Sequence, residues 1–142
     1  MIKVIATLLR NSPENIHVYD IKLRFLDDMI LLSSASRENR RIILQMSVWQ
    51  DYLLNLAYIY PSNDQQNEVT DRVFELLKIL LHHAIKFEYG GWRVWIDTLS
   101  ILHGRITKED YYRKINKMME NMDDENEVIT RYSTTNRFYF LF

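Results

Sequence analysis

Residues 69–91 read VTDRVFELLKILLHHAIKFEYGG, and this stretch decides the fold class. Its apolar residues recur at three- and four-residue steps, the spacing that places side chains on one face of an α-helix. They form two adjacent stripes: Val69, Val73, Leu76, Leu80, Ala84 and Phe87, with Phe74, Leu77, Leu81 and Ile85 alongside. The pattern predicts a helix with a wide buried face that starts between Gln65 and Thr70 and ends near Tyr89. Gly90 and Gly91 end it, because glycine accepts the left-handed conformation of helix C-termini.

Five more helices are predicted by the same spacing. They are Ile2–Arg10, Ile16–Ser34, Glu38–Tyr60, Trp92–His103 and Thr107–Met122. Ser36 is expected to cap the start of the third helix, and Pro61 is expected to end that helix. Gly104 is expected to end the fifth helix. Thr107 is expected to begin the sixth helix in a capping box with Asp110. Residues predicted to face inward include Val18, Ile21, Phe25, Met29 and Leu32 in the second helix, Ile42, Met46, Trp49, Leu53, Leu56 and Tyr60 in the third, and Tyr111, Ile115, Met118 and Met122 in the last.

Few breakers separate these helices. The chain has three glycines and two prolines, whereas a β-protein needs many turns and uses more of both. We therefore predict an all-α fold of about six helices. Short loops and broad apolar faces favour a stacked array of helical hairpins, although no internal sequence repeat is visible.

Composition excludes several classes of protein. The chain has 142 residues, one domain's worth, with 47% hydrophobic residues and 26% charged residues, as in an ordinary folded domain. A net charge of −1 gives no basic face for nucleic acid. There is no cysteine, which removes disulfides and thiolate chemistry. No apolar run approaches the length of a membrane span.

The sequence carries no convincing catalytic or metal-binding pattern. His82 and His83 are neighbours on a helix, so they diverge and are poorly placed to share a metal. The adjacent carboxylates Asp27 and Asp28 diverge for the same reason, and the serines lack a nucleophile elbow. We therefore predict a protein that is not an enzyme and that needs no cofactor or metal.

A small basic cluster lies near the start of the third helix. Arg37, Arg40 and Arg41 surround Glu38. They could bind an acidic partner or a lipid headgroup, but such a cluster is more often a solvated turn.

The candidate site is the corner at Gly90, Gly91, Trp92, Arg93 and Trp95. Two glycines beside two tryptophans indicate a close backbone approach packed by large rings. Periodicity favours a structural corner with Trp95 in the core, and it leaves the position of Trp92, at the helix start, open. The alternative is an exposed aromatic anchor for a protein partner.

Three segments carry a family resemblance. Residues 83–101 read HAIKFEYGGWRVWIDTLSI, residues 47–53 read SVWQDYL and lead to Tyr58-Ile59-Tyr60-Pro61, and residues 38–41 read ENRR. They resemble the helical region of the neurobeachin and lipopolysaccharide-responsive beige-like anchor protein family of BEACH-domain proteins, over roughly Ser12 to Met122. The resemblance implies an armadillo-like α-solenoid segment over residues 1–122. Residues 123–142 look divergent, and we expect a poorly ordered tail there.

The resemblance also implies a function. Members of this family are very large scaffolds in membrane traffic, so we expect this chain to be a piece of such a scaffold. It would be cytoplasmic, associated with endomembranes only through the parent protein, with other proteins as partners. The alternative is a protein kinase A anchoring segment in which a regulatory subunit grips an amphipathic helix. The helix with Val69, Val73, Leu76, Leu77 and Leu80 has that shape, but a helix buried in a core cannot also be gripped.

Overall fold

The structure is a computed structural model, and it describes residues 1–120 of the chain. Its helices are α1 (Ile2–Asn11), α2 (Ile16–Ala35), α3 (Arg37–Gln45), α4 (Trp49–Leu54), α5 (Asp64–Phe87) and α6 (Gly91–Glu120). These residues include no strand, which confirms the predicted all-α class. Met122 and the tail predicted at residues 123–142 lie outside the described residues.

Polar side chains set three of the helix starts. The Asn15 side chain accepts from the Val18 amide at 2.9 Å, and Asn63 accepts from the Gln66 amide at 2.8 Å. Ser36 caps α3 in the same way, as predicted. Each cap satisfies an amide that the helix itself leaves free, so the helix begins at the following residue.

The centre of the fold is α5, which packs against α2, α6 and α3. Seven of its predicted stripe residues are completely buried: Val69, Val73, Leu76, Leu77, Leu80, Leu81 and Ala84. The stripe ends before the helix does, since Ile85 and Phe87 are 45% and 41% exposed. The predicted wide buried face is therefore confirmed for most of the helix, and its last turn projects from the core.

The predicted third helix, Glu38–Tyr60, is wrong. It is divided into α3 and α4 at Met46, Ser47 and Val48, and Val48 has a φ of 52° in the left-handed region. The break changes the direction of the chain, and after it Trp49, Leu53 and Leu54 are buried in the core. Before the break, the predicted stripe residue Ile42 is 50% exposed. The helix also ends at Leu54, well before Pro61. Leu56, Ala57 and Ile59 are buried from the turn that follows.

The predicted stop at Gly104 is also wrong, because α6 runs without interruption from Gly91 to Glu120. A β-carbon at Gly104 would meet nothing within 4 Å, and a lone glycine in a helix costs only about 1 kcal/mol. Thr107 is not a cap. Its hydroxyl donates to the His103 carbonyl at 2.9 Å, one turn back within the same helix.

Several residues predicted to face inward are exposed. In α6, Tyr111 is 63% exposed and Met118 is 81% exposed. The helix has 30 residues against 24 in α5, so its last turns, which include Met118, extend beyond the helix on which it packs. In α2, Ile21 and Leu32 are exposed by 54% and 50%. The apolar face used by α2 is therefore narrower than its sequence predicts.

Candidate interaction site at the glycine corner

The chain turns from α5 into α6 at Tyr89, Gly90 and Gly91, the glycine corner. Gly90 has a φ of +70°, a conformation that costs glycine little and other residues considerably more. The Gly91 amide donates to the Glu88 carbonyl at 3.2 Å, and the Arg93 amide donates to the Gly90 carbonyl at 2.9 Å. The corner is thus closed by its own backbone.

Gly91 is needed for a different reason. A β-carbon built there would lie 1.7 Å from the Ala84 carbonyl oxygen and 2.3 Å from its carbon. Both contacts are to the backbone of α5, which cannot move aside as a side chain could. The start of α6 therefore lies directly against the last turns of α5, and only glycine permits that approach.

The two tryptophans after the corner have different environments. Trp95 is partly buried against the core, with its ring centroid 6.5 Å from that of His82 in an edge-on arrangement. Trp92 is 57% exposed, and the Arg93 guanidinium lies 5.3 Å from its ring centroid. Trp95 therefore packs against the core, as predicted, while Trp92, whose position the sequence leaves open, lies outside it.

Two further apolar residues close to Trp92 in the chain are exposed. Tyr89 is fully exposed, and Ile96, one helical turn after Trp92, is 55% exposed. We call Tyr89, Trp92 and Ile96 the aromatic corner. Residues four apart on a helix lie on one face, so Trp92 and Ile96 present a joint apolar surface held at a backbone-closed turn.

The arginines of α3 fasten that helix to the end of α5. The Arg40 Nη1 atom donates to the Ser33 carbonyl at 2.6 Å, and its Nε atom donates to His83 Nδ1 at 3.0 Å. The Arg41 Nε atom lies 3.4 Å from Glu88 Oε1. Arg40 thus caps the C-terminus of α2 and also holds α5, which the sequence reading of a solvated turn does not anticipate.

His83 is the buried member of the histidine pair. It is 4% exposed, while His82 is exposed. Its Nε2 atom lies 3.1 Å from Glu88 Oε1. With Arg40 donating to Nδ1, the neutral ring that donates from Nε2 to Glu88 satisfies both contacts. The histidine therefore joins α3 to the residue that ends α5.

An open groove of about 250 Å³ lies beside these contacts. Its lining residues are Arg40 from α3 and Ile79, His82, His83, Lys86 and Phe87 from α5. The Arg37 guanidinium carbon lies 3.8 Å from the centroid of the Phe87 ring, and the Lys86 ammonium lies 5.3 Å from it. The groove thus combines cations with apolar surface.

Residues 1–104 match the family model described as the Neurobeachin/BDCP, DUF4704 alpha solenoid region. The chain belongs to the neurobeachin alpha-solenoid family. The match contains the glycine corner, the arginines of α3 and the groove, and it stops at Gly104, within α6.

Similar proteins come from worms and vertebrates. The chain is 50% identical over 115 residues to a protein named as a neurobeachin homolog in Caenorhabditis elegans, covering 81% of this chain and 5% of that protein. A homolog of the same name in Caenorhabditis briggsae gives the same identity over 4% of its length. Neurobeachin of Gallus gallus is 45% identical over 67 residues, 47% of this chain and 8% of that protein. No solved structure matches the chain.

A second polar cluster, which the sequence does not predict, joins the start of α2 to the turn after α4. Lys22, only 3% exposed, donates to the Tyr58 hydroxyl at 2.7 Å and lies 3.5 Å from Glu14 Oε1. The Tyr58 hydroxyl donates to Glu14 Oε1 at 2.7 Å, and the Tyr19 hydroxyl donates to Oε2. A buried lysine is tolerated because a carboxylate and a phenol oxygen surround its ammonium.

This cluster shifts the pKa values of two of its members. Burial raises the pKa of the Glu14 carboxyl, but hydrogen bonds from Tyr19 and Tyr58 and the charge of Lys22 outweigh it, and the pKa lies below its usual value. Burial, with the hydrogen bond to Glu14 and its charge, raises the pKa of Tyr58 well above the ordinary phenol value. Both groups therefore keep their usual charge states at neutral pH.

Metal and membrane features are lacking in the part of the chain that is described. Residues 1–120 hold no group of three or more histidine, aspartate or glutamate side chains placed to bind a metal. Across the same residues, no helix is both long enough and apolar enough to cross a bilayer.

The face of α5 suggested for kinase anchoring lies in the core. Val69, Val73, Leu76, Leu77 and Leu80 are all completely buried. A regulatory subunit that grips an amphipathic helix needs its apolar face exposed. In this fold, α5 cannot present that face without leaving the domain.

Proposed function

We propose that this chain is a non-enzymatic scaffold segment that holds a protein partner at the aromatic corner, within a neurobeachin-like protein that acts in membrane traffic and in placing proteins at membranes. One observation carries the proposal. Trp92 and Ile96 are exposed on a family-typical α-solenoid, at a turn that Gly90 and Gly91 hold rigid. Exposed aromatic side chains on rigid elements are the usual energetic centres of protein interfaces.

The chemistry of the polar clusters supports a role without catalysis. General-base catalysis needs a group that can take a proton near neutral pH. The raised pKa of Tyr58 keeps its phenol protonated, and Lys22 is held by Glu14. His83 is buried between Arg40 and Glu88. These groups join helices, and we propose neither a cofactor nor a metal for this segment.

Kinase anchoring stays the second candidate for the parent protein, and the burial of α5 argues against this segment as the anchor. We propose a cytoplasmic location that is peripheral to endomembranes and depends on the rest of the scaffold.

Proximity labelling in cells tests the proposal. The chain, fused to a biotin ligase, is compared with the variant Trp92→Ala/Ile96→Ala. A matched control is Leu31→Ala, since Leu31 is an apolar residue of similar exposure, 68%, on a different helix, α2. We expect the native chain and the control to label a shared set that includes membrane-traffic proteins, and the double variant to lose it. Equal labelling by all three proteins, or a set without traffic proteins, overturns the proposal.

A further inference from the structure

The groove between α3 and α5 combines cationic and apolar side chains, which suits a ligand that has both acidic and apolar groups. The groove is lined by four residues of α5, Ile79, His82, His83 and Lys86, whose spacing of three, one and three residues places them on one side of the helix. Arg40 reaches the groove from α3, and Phe87 lies at its end near the C-terminus of α5. The groove therefore has an apolar part, Ile79 and Phe87, with cationic side chains around it.

The charge around this groove is unbalanced. Arg37, Arg40, Arg41 and Lys86 supply four positive charges, while Glu38 and Glu88 are the acidic residues beside them in α3 and at the end of α5. Glu88 is already engaged by Arg41 and His83. In a chain of net charge −1, this face is locally positive, and positive surfaces attract acidic partners.

Two of these cations are free to accept a ligand. Arg37 and Lys86 are exposed, and each lies against the Phe87 ring while forming no ion pair within residues 1–120. Arg40 is committed to Ser33 and His83. An arriving carboxylate could therefore reach Arg37 or Lys86 without breaking the contacts that hold α3 to α5.

We propose that this groove binds an acidic peptide segment of a partner protein, with carboxylates at Arg37 and Lys86 and an apolar side chain against Phe87 and Ile79. Phe87 is 41% exposed, which leaves ring surface for that side chain. A lipid surface fits less well, because lipid-binding clusters carry about four to eight lysines and arginines, whereas here Arg40 and Arg41 are engaged within the fold. The groove is a different surface from the aromatic corner, so the inference goes beyond the proposed function.

Fluorescence anisotropy tests the proposal on the purified full chain. The probe is a fluorescein-labelled peptide with glutamates flanking a central phenylalanine. We expect binding that weakens as salt rises, since exposed charge pairs are screened. Lys86→Glu should weaken binding by about ten-fold, the effect of turning an attractive charge into a repulsive one. The control Lys114→Glu places the same charge change on the exposed surface of α6 and should leave the affinity unchanged.

Three further arms distinguish the groove from general charge attraction. A peptide whose central phenylalanine is replaced by serine should bind the native chain more weakly. A lysine-flanked peptide should bind Lys86→Glu better than it binds the native chain. Phe87→Ala should weaken the acidic peptide while its circular-dichroism melt shows that the fold is kept. Equal loss in Lys114→Glu, no dependence on the central ring, or tighter binding to phosphatidylserine vesicles than to the peptide would overturn the proposal.

Discussion

Within residues 1–120, two corners contain a residue in the left-handed region, Val48 and Gly90, and the two corners are stabilised in different ways. At the glycine corner the residue is Gly90, and backbone hydrogen bonds within residues 88–93 close the turn. At the break between α3 and α4, the valine corner of Met46, Ser47 and Val48, a β-branched residue takes the same region. Contacts from distant helices support that second turn, so a local signal marks the first corner and none marks the second.

Long-range hydrogen bonds hold the region of the valine corner. The Lys3 ammonium donates to the Ser47 hydroxyl at 2.8 Å from α1. From α6, Arg105 donates to the Leu54 carbonyl and, at 3.4 Å, to the Ala57 carbonyl. Burial lowers the pKa of Arg105, which reflects how far its guanidinium reaches into the fold. The Lys3 contact therefore holds the valine corner itself, and the Arg105 contacts hold the end of α4 and the turn after it.

The largest expected effect comes from breaking the glycine corner. Gly91→Val should destabilise the chain by about 3 kcal/mol or more, because the new side chain meets backbone that cannot move aside. Gly104→Ala is the matched control, a glycine within a helix with open space around it, and should gain up to about 1 kcal/mol. Chemical denaturation of both variants measures this. A Gly91→Val protein as stable as the native chain would show that the close approach to Ala84 does not exist.

Removing the long-range support should cost less. Arg105→Met removes the guanidinium donor from the carbonyls of Leu54 and Ala57, both in buried residues, and leaves the Leu54 carbonyl with only the Ala57 amide. We expect a loss of about 2 kcal/mol, since hydrogen bonds to charged groups contribute that much. Arg93→Met changes the same residue type at an exposed position of α6 and should change the free energy of unfolding by less than about 0.5 kcal/mol. Equal effects of the two substitutions in urea melts would contradict the role of Arg105 in holding the end of α4.

Replacing Val48 at the valine corner by glycine should stabilise the protein. Val48 is 55% exposed, so Val48→Gly loses little packing and relieves a strained φ, for a gain of about 1 kcal/mol. A thermal melt measures the change. A lower melting temperature would mean that Val48 is not held in the left-handed region in solution.

The sequence predicts the features that nearby residues determine, and it does not predict those that depend on contacts between distant helices. The periodicity of α5, the caps at Ser36 and the glycines at 90 and 91 are local signals, and the corresponding helix, cap and turn are found. The valine corner and the continuation of α6 through Gly104 depend on contacts with other helices, which no nearby residues encode. The arginines of α3 lie more than forty positions from His83 and Glu88 in the chain, so their joint groove could not be predicted either.

A smaller effect concerns the turn after α4, where the Tyr58 hydroxyl donates to Glu14. A carboxyl whose pKa is lowered by folding stabilises the native state above its unfolded pKa, and this stabilisation is lost as pH falls through the folded pKa. We expect the native chain to lose melting temperature relative to Glu14→Gln between about pH 5 and pH 3. Asp28→Asn, at an exposed carboxylate of α2, is the control. Parallel pH profiles for the native chain and Glu14→Gln would contradict the assignment.

The smallest expected change in stability tests the central claim, that the glycine corner turns Trp95 inward and Trp92 outward as a contact surface. The measurement is a circular-dichroism melt of Trp92→Ala beside Trp95→Ala, with proximity labelling of the Trp92 variant. We predict that Trp92→Ala keeps the native melting temperature and loses labelled partners. Trp95→Ala should have a lower melting temperature, corresponding to a loss of about 2 kcal/mol in the free energy of unfolding, as expected for truncation of a partly buried ring. A lowered melting temperature for Trp92→Ala, or unchanged labelling with an unchanged melt, would contradict it.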